Sequence, residues 1–245
     1  MGRTTQVEGV ILRSLRFGEA DRVLHVYTRE RGRVGLVAKG VRRTRSRFGA
    51  RLEPLTRLNL QMHLGRGELG TVTGADILDS HRGVREDPAR LAVGLAGAET
   101  VARLFAEGEA SPKAFEALCR FLEALETRPV PGTSVAHDPL LAALALKLHW
   151  VAGFAPVLDR CAGCGATGRA LVRFSASTGG AVCAACPGGF AIRDDTIGAL
   201  AALLRTPLVD APALPGPLAA DVARAIAELH AEHGGFRLRS LALAG

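Results

Sequence analysis

Residues 58–64 alternate apolar and polar side chains one by one: Leu58-Asn59-Leu60-Gln61-Met62-His63-Leu64. A period of two places successive side chains on opposite faces, so this segment predicts a strand with one buried face. Working outward, five strands are predicted between Gln6 and Ser80: Val7–Leu15, Arg22–Thr28, Arg33–Val41, Leu55–Leu64 and Leu69–Leu78. Five antiparallel strands in so short a stretch bury their edges best by closing into a small barrel, and the OB-fold is the commonest such barrel.

After Ser80 the apolar residues recur at helical spacing. A capping side chain stands directly before a proline at Asp87-Pro88, Ser111-Pro112 and Asp138-Pro139, and each pair precedes an Ala/Leu-rich run. Proline is tolerated at the first helical position, so each pair predicts the start of a helix. Two more helices are predicted, from Asp194 or Asp195 through Leu204 and from Pro217 to His233. We therefore expect an α+β chain with two domains, a barrel at residues 1–80 and a helical domain at residues 81–245.

Four cysteines, Cys161, Cys164, Cys183 and Cys186, form the pattern C-x2-C-x18-C-x2-C. Two such pairs in facing turns provide the tetrahedral set of four sulfurs that zinc accepts, and glycines flank both turns. The alternatives are two disulfides or a redox-active pair, but a cytoplasmic location argues against the first and the glycine-rich turns against the second. We expect one structural Zn²⁺ in a module at about residues 157–192. Four cysteine ligands leave no open position for water, which disfavours catalytic zinc.

The charge of the chain is unevenly distributed. Residues 1–80 contain 15 Arg or Lys and 8 Asp or Glu, whereas residues 81–245 contain 16 of each. The whole excess of +7 therefore lies in the predicted barrel, which suggests one surface that faces a polyanion. No acidic residue interrupts the segment between Glu30 and Glu53, which carries eight candidate nucleic-acid contacts: Arg31, Arg33, Lys39, Arg42, Arg43, Arg45, Arg47 and Arg51. The competing interpretation is a solvated basic loop without a specific partner.

Aromatic residues are scarce in this basic region. Only Phe17, Tyr27 and Phe48 could stack on bases, and each could equally be a core residue. We therefore expect binding through phosphates, with little preference for base sequence.

Three other patterns are weaker. Gly65-x-Gly67-x-x-Gly70 matches a dinucleotide fingerprint but links two predicted strands, which favours a hairpin turn. Cys119 is spaced as a buried helix residue. His230 and His233 lie near the end of the last predicted helix, where they can face its carbonyl groups or, less simply, bind a metal. The first residues contain no apolar stretch, and no apolar run is long enough to span a membrane, so we expect a cytoplasmic protein. Binding to DNA would make it nucleoid-associated.

These residues resemble the bacterial recombination mediator family RecO. The similarity is strongest from Gly9 to Leu60, including Gly18-Glu19-x-Asp21, Thr28-Arg29-Glu30-x-Gly32 and Lys39-Gly40-x-Arg42-Arg43, and it extends to the paired C-x-x-C motifs and Arg237-Leu238-Arg239-Ser240. The resemblance implies an OB-fold followed by a helical domain with an inserted zinc module. It further implies binding of single- and double-stranded DNA, strand annealing, association with RecR, and loading of RecA onto strands coated by single-stranded-DNA-binding protein.

By position, Lys39, Arg42 and Arg43 match the family's basic motif, and the four cysteines match its metal ligands. We therefore expect a non-enzymatic DNA-repair protein with no small-molecule substrate. Three alternatives stay open at this point: an RNA-binding OB-fold protein, a metal-dependent enzyme, and an adaptor that binds only proteins.

Overall fold

The computed structural model describes residues 4–41, 48–65, 67, 69–129 and 134–243. The chain forms two compact units, residues 1–127 and residues 128–245. The predicted division at residue 80 marks the place where strands give way to helices, and the first compact unit continues through three helices beyond it.

The five predicted strands of the first unit are confirmed. Their bounds are β1 (Thr4–Phe17), β2 (Asp21–Thr28), β3 (Gly32–Ala38), β4 (Arg57–His63) and β5 (Gly70–Asp79). They close into a barrel in the order β1-β2-β3-β5-β4, in which β1 pairs with both β2 and β4. The closed sheet buries the edges that five separate strands would expose.

One strand pair departs from the predicted antiparallel arrangement. β3 and β5 are parallel and pair over a short stretch, Leu36 with Gly70 and Val37 with Thr71. The other neighbours are antiparallel. An odd number of strands cannot alternate in direction around a closed ring, so one neighbouring pair must run in the same direction. The expectation of five antiparallel strands was therefore wrong for this pair.

The barrel core follows the alternation that identified β4. Leu58, Leu60 and Met62 are completely buried, whereas Gln61 is exposed. Their inward side chains join those of the other strands in one cluster, which also includes Phe48 and Leu52 from the segment between β3 and β4. The period of two thus describes both the local strand and its contribution to the core.

Three helices complete the first unit: α1 (Arg82–Glu86), α2 (Pro88–Leu104) and α3 (Pro112–Thr127). The Asp87 carboxylate accepts hydrogen bonds from the N–H groups of Ala89 and Arg90, as its place before Pro88 predicts. The sequence did not predict α1, which spans only five residues.

The connector between α2 and α3 continues the sheet along the part of β3 that β5 does not reach. Glu107 pairs with Arg33 in a parallel bridge, and the N–H of Gly108 donates to the Arg33 carbonyl at 3.0 Å. Arg33 also donates from Nη1 to the carbonyl of Ala102 at 2.8 Å. The beginning of β3 is therefore held by the helical part of the same unit.

The second unit contains α4 (Pro139–Val151), β6 (Leu171–Ser175), β7 (Gly180–Cys183), β8 (Phe190–Ala191), α5 (Thr196–Arg205) and α6 (Gly216–Gly234). Asp138 caps α4 by accepting from the N–H groups of Leu140 and Leu141, both at 2.9 Å. Ten of the thirteen residues of α4 are buried, so the helix predicted to start at Asp138-Pro139 is a core helix. Within the described ranges, no helix combines the length and hydropathy needed to cross a membrane.

A buried histidine in α4 should make the second unit sensitive to acid. His149 is completely buried, and neither ring nitrogen has a hydrogen-bond partner among the described atoms. Burial, and secondarily the charges of His230 and His233, lower the pKa of His149 to about 3 from 6.5. Since the unfolded chain binds this proton below pH 6.5 and the folded chain does not, stability falls as the pH drops from 6.5 toward 3.

We expect the free energy of unfolding to fall by about 2 kcal/mol at pH 5 through this residue alone. Denaturant unfolding of the wild type and of His149→Phe at pH 7.5 and pH 5 measures the effect. The variant should lose less stability than the wild type on acidification. Equal losses in both proteins would contradict the assignment to His149.

Candidate functional site

The four predicted cysteine ligands come together in the second unit. The sulfur atoms of Cys161, Cys164, Cys183 and Cys186 all lie within 4.8 Å of one another. Cys183 ends β7, Cys186 follows in the next turn, and the first pair lies in a turn before β6. The three short strands pair in the order β7-β6-β8. Residues that are 22 positions apart in the chain, such as Cys161 and Cys183, therefore meet in one cluster.

The geometry of this cluster fits a tetrahedral metal ion. The Sγ atoms of Cys164 and Cys183 are 3.9 Å apart. A tetrahedron with metal–sulfur bonds of about 2.3 Å has edges of roughly 3.8 Å. A side chain at Gly163 would lie 3.3 Å from the Cβ and Sγ atoms of Cys186, so glycine there lets the two turns approach closely. The residues present could thus hold one ion of the size and preference of zinc.

The sulfur atoms are also in different electrostatic environments. The N–H of Cys183 donates to the Cys161 sulfur at 3.3 Å. The backbone N–H groups of Cys183, Cys164 and Gly163 lower the pKa of Cys161 to about 6, which favours the thiolate that binds metal. In contrast, the neighbouring thiols, Cys164 first, raise the pKa of Cys186 to about 12. A divalent cation would stabilise the thiolate form of all four cysteines, because it would neutralise part of their negative charge.

A bound zinc ion would supply a cross-link between the two cysteine turns. Because the cluster offers four sulfur ligands, it would complete the usual tetrahedral coordination without water. Cys119 lies elsewhere, in α3, and burial raises the pKa of its thiol to about 12. Its position confirms the interpretation as a buried apolar residue.

A second group of potential ligands was not predicted from the sequence. Asp79, His81 and Glu126 bring an imidazole nitrogen and two carboxylates within 4.8 Å of one another. Hydrogen bonds account for this arrangement. Asp79 accepts from the backbone N–H of His81, and Glu126 accepts from that of Gly83, both at the start of α1. The group therefore fixes the beginning of a short helix.

His230 and His233 lie in an aromatic cluster of the second unit. The His230 ring stacks on His149 with centroids 5.2 Å apart, and the His233 ring stacks on Phe154 at 4.5 Å. These contacts place both rings in packing interactions beside α4.

The predicted basic residues lie in different parts of the first unit. Arg31 is exposed in the turn before β3, and Lys39 is exposed directly after its end, so the length of the strand separates them. Arg33 is half-buried, and its guanidinium contacts the end of α2. Arg51 is exposed in a short helical turn before β4. Arg42, Arg43, Arg45 and Arg47 lie outside the described residues.

Other arginines of the barrel are neutralised by carboxylates. Arg22 pairs with Glu53 at 3.3 Å. Glu8 lies between Arg29 and Arg57, and these two arginines also pair with carboxylates of α3. Both arginines lower the pKa of Glu8, although burial alone would raise it. These three arginines therefore form ion pairs within the first unit, and none of them belongs to the predicted run of eight.

Sequence reasoning missed two exposed arginines on β1, Arg13 and Arg16. The pairing of β1 with β2 places Arg13 opposite His25 and Arg16 opposite Arg22. Burial, and secondarily the charges of Arg33 and Arg13, lower the pKa of His25 on β2. The sequence contains no signal for this arrangement, because Arg13 and Arg16 are three positions apart and the register of β1 shifts between Ile11 and Arg13.

Of the three aromatic residues considered for stacking, only Phe17 is accessible. Its exposed fraction is 52%, whereas Tyr27 and Phe48 are buried. The Tyr27 ring packs on Phe105, with centroids 5.9 Å apart. The barrel thus offers one aromatic surface, at the end of β1 beside Arg16.

Comparison with known proteins agrees with these features. Residues 1–81 match the family model described as Recombination protein O N terminal, and residues 85–242 match Recombination protein O C terminal. The chain is 42% identical over 212 residues to DNA repair protein RecO of Rubrobacter xylanophilus, covering 83% of this chain and 82% of the relative.

Two further proteins of the same description are similarly close. The chain is 41% identical to that of a Nocardioides species, over 80% of this chain and 81% of the relative. It is also 41% identical to that of Thermobifida fusca, over 73% of this chain and 72% of the relative. With both halves matched and relatives aligned over most of their length, this chain belongs to the RecO family of DNA repair proteins.

Proposed function

We propose that this protein is a non-enzymatic mediator of recombinational repair that binds single- and double-stranded DNA mainly through phosphates. It brings complementary strands together for annealing. With RecR, it promotes loading of RecA onto strands coated by single-stranded-DNA-binding protein. The barrel of residues 1–80 is the DNA-binding domain, the helical domain of residues 81–245 docks protein partners, and the protein acts in the cytoplasm at the nucleoid.

The observation that carries this proposal is the distribution of paired and unpaired bases on the barrel. Arg22, Arg29 and Arg57 form ion pairs with carboxylates. In contrast, no carboxylate in the described ranges forms an ion pair with Arg31 or Lys39, and both side chains are exposed. Unpaired bases that remain in solvent can neutralise phosphates without first breaking an internal contact.

The strand order supports an OB-fold for this domain. A closed five-stranded sheet with β1 shared between two neighbours is the arrangement of that barrel, whose β2–β3 face and adjoining loops bind oligonucleotides. Lys39 follows β3, and the segment after it carries Arg42 and Arg43. We propose that Lys39 and this segment form the principal phosphate-binding surface, with Arg13 and Arg16 beside it.

The remaining members of the run have different roles in the proposal. Arg51 is exposed and extends the surface, as do Arg45 and Arg47 by sequence, whereas Arg31 is exposed at the other end of β3 and would contact a separate phosphate. Arg33 is the exception, because its Nη1 is bonded to Ala102 and its Nε is buried. We propose that Arg33 mainly anchors β3 and contributes positive potential.

Annealing would follow from charge neutralisation. Two DNA strands repel each other through their phosphates, and a basic surface that binds both lowers the repulsion while bases pair. This process forms and breaks no covalent bond, so it needs no catalytic residue. The proposed zinc ion is structural and fixes the fold of the helical domain.

Charge reversal tests the proposed surface. The triple variant Lys39→Glu, Arg42→Glu and Arg43→Glu should lose most strand-annealing activity and bind single-stranded DNA at least tenfold more weakly, because six units of charge change where phosphates bind. A matched control, Arg82→Glu, Lys113→Glu and Arg120→Glu, makes the same net change on exposed helix positions of the first unit. Wild-type annealing by the first variant, or equal losses in both, would refute the proposal.

A salt titration of DNA binding counts the phosphate contacts. If about four bases contact single-stranded phosphates, the log–log slope should be roughly −3, and affinity should fall about fiftyfold between 50 and 200 mM salt. Fluorescence anisotropy of a labelled oligonucleotide measures it. A flat salt dependence would indicate an adaptor that binds only proteins, and a strong preference for RNA in competition would indicate an RNA-binding protein.

A further inference from the structure

We propose that Arg173 is a positioning residue for the metal site, because its guanidinium group holds the second cysteine turn in the conformation that binds metal. Arg173 lies in β6, ten positions before Cys183. This inference rests on the four-cysteine metal site and adds to it a residue that is not a ligand.

The contacts of Arg173 converge on one turn. Its Nη2 atom donates to the carbonyl of Cys183 at 3.3 Å and to that of Ala184 at 3.0 Å, and it also donates to the carbonyl of Cys186. The three acceptors span the whole second C-x-x-C segment. One side chain therefore fixes the backbone of both cysteines in this pair.

The local sheet directs the side chain toward the turn. Arg173 pairs with Val182 of β7 and Ala191 of β8, so it lies in the central strand. The register between β6 and β7 shifts between Leu171 and Arg173. Such irregularities change the direction of side chains, which explains how a residue of the central strand reaches carbonyls beyond the end of β7.

Arginine suits this position because of its reach. All three bonds come from Nη2, whose two N–H groups are shared among the three carbonyls, and Nη2 lies one bond farther from the backbone than a lysine ammonium would. Four cysteine thiolates with one Zn²⁺ carry two net negative charges. The positive guanidinium group beside this turn offsets part of that charge. It also provides hydrogen-bond donors for the carbonyl groups of the turn.

Metal affinity and the spectrum of bound cobalt test this inference. We expect Arg173→Met to bind Zn²⁺ 10- to 100-fold more weakly in competition with a chromophoric chelator, the range found when groups that orient metal ligands are removed. The absorption bands of Co²⁺ in the same site should shift or weaken, since the sulfur geometry changes. Arg169→Met is the matched control, because Arg169 is an exposed arginine of the same module.

The outcomes separate this inference from the metal site itself. If the wild-type chain binds neither Zn²⁺ nor Co²⁺, the site fails and the inference fails with it. If the wild type binds and Arg173→Met has the same affinity and cobalt spectrum, only the inference is overturned. Arg173→Lys serves if the Met variant does not fold. It keeps the charge, but its ammonium group ends one bond short of the position of Nη2, so reduced affinity supports the inference and wild-type affinity overturns it.

Discussion

Replacing Cys183 by Ser is expected to unfold the cysteine module at residues 157–192 and to abolish the proposed zinc binding, while the barrel of the first unit stays folded. The module has two small apolar clusters, one where the Phe174 and Phe190 rings meet, with centroids 6.1 Å apart, and one around the sulfur atoms. The cluster around the sulfur atoms consists of Cys161, Val182 and Cys183, with Leu171 and Cys186 packed against it. Most of this cluster is therefore the ligand set itself.

The size of the expected effect follows from that composition. Zinc binding contributes on the order of 10–16 kcal/mol in small zinc-binding peptides, more than the few apolar side chains around the sulfur atoms provide. β7 has four residues and β8 has two, which is too little sheet to be stable alone. Loss of one thiolate should therefore unfold the module. Excess chelator should have the same effect on the wild type.

Hydrogen exchange of the backbone amides measures this result region by region. Amides of β6 and β7 should exchange rapidly in Cys183→Ser, and those of β4 should keep wild-type protection. Cys119→Ala is the control, since Cys119 is buried in α3 away from the sulfur cluster. It should retain one equivalent of zinc and a protected module. Slow exchange in a metal-free Cys183→Ser variant would show that zinc does not hold the module together.

Local sequence signals predicted the secondary structure well because their causes are local. The alternation at residues 58–64 reflects the two faces of a strand, and all three of its central apolar residues are buried. The capping prolines succeeded for the same reason: Asp87 and Asp138 accept bonds from N–H groups two and three residues ahead. The spacing of the cysteines similarly determines the two turns that carry the sulfur atoms.

The features that the sequence did not predict depend on distant residues. The sequence does not distinguish Arg33 from the other members of the basic run. In the structure its side chain donates a hydrogen bond to the carbonyl of Ala102, 69 positions away. Arg173 lies in an ordinary strand sequence, and only the folded sheet brings it to Cys186. The parallel closure of β3 on β5 follows from the number of strands in the ring. Such relations appear only after the elements are assembled, so no window of sequence contains them.

Gly32→Ala is expected to destabilise the first unit strongly, by about 3 kcal/mol or more, because two independent costs meet at this residue. Gly32 has a φ of +62°, in the left-handed region that favours glycine. In addition, a Cβ atom there would lie within 3 Å of the backbone of Glu109, in the connector between α2 and α3. Backbone atoms cannot rotate away as a side chain can, so the connector would have to separate from β3.

Comparison with Gly18→Ala separates the cost of the backbone conformation from the cost of the contact with Glu109. Gly18 has a similar φ of +58°, but no atom lies within 4 Å of the position that its Cβ would occupy. The free energy of unfolding of Gly18→Ala should therefore fall by only about 1 kcal/mol, the cost of a positive φ at alanine. Denaturant unfolding of both variants gives the difference, and hydrogen exchange at Gly108 shows whether the connector has detached. Since the connector holds Arg33 and the start of β3, Gly32→Ala should also weaken DNA binding. Equal destabilisation of the two variants would show that the contact with Glu109 contributes nothing.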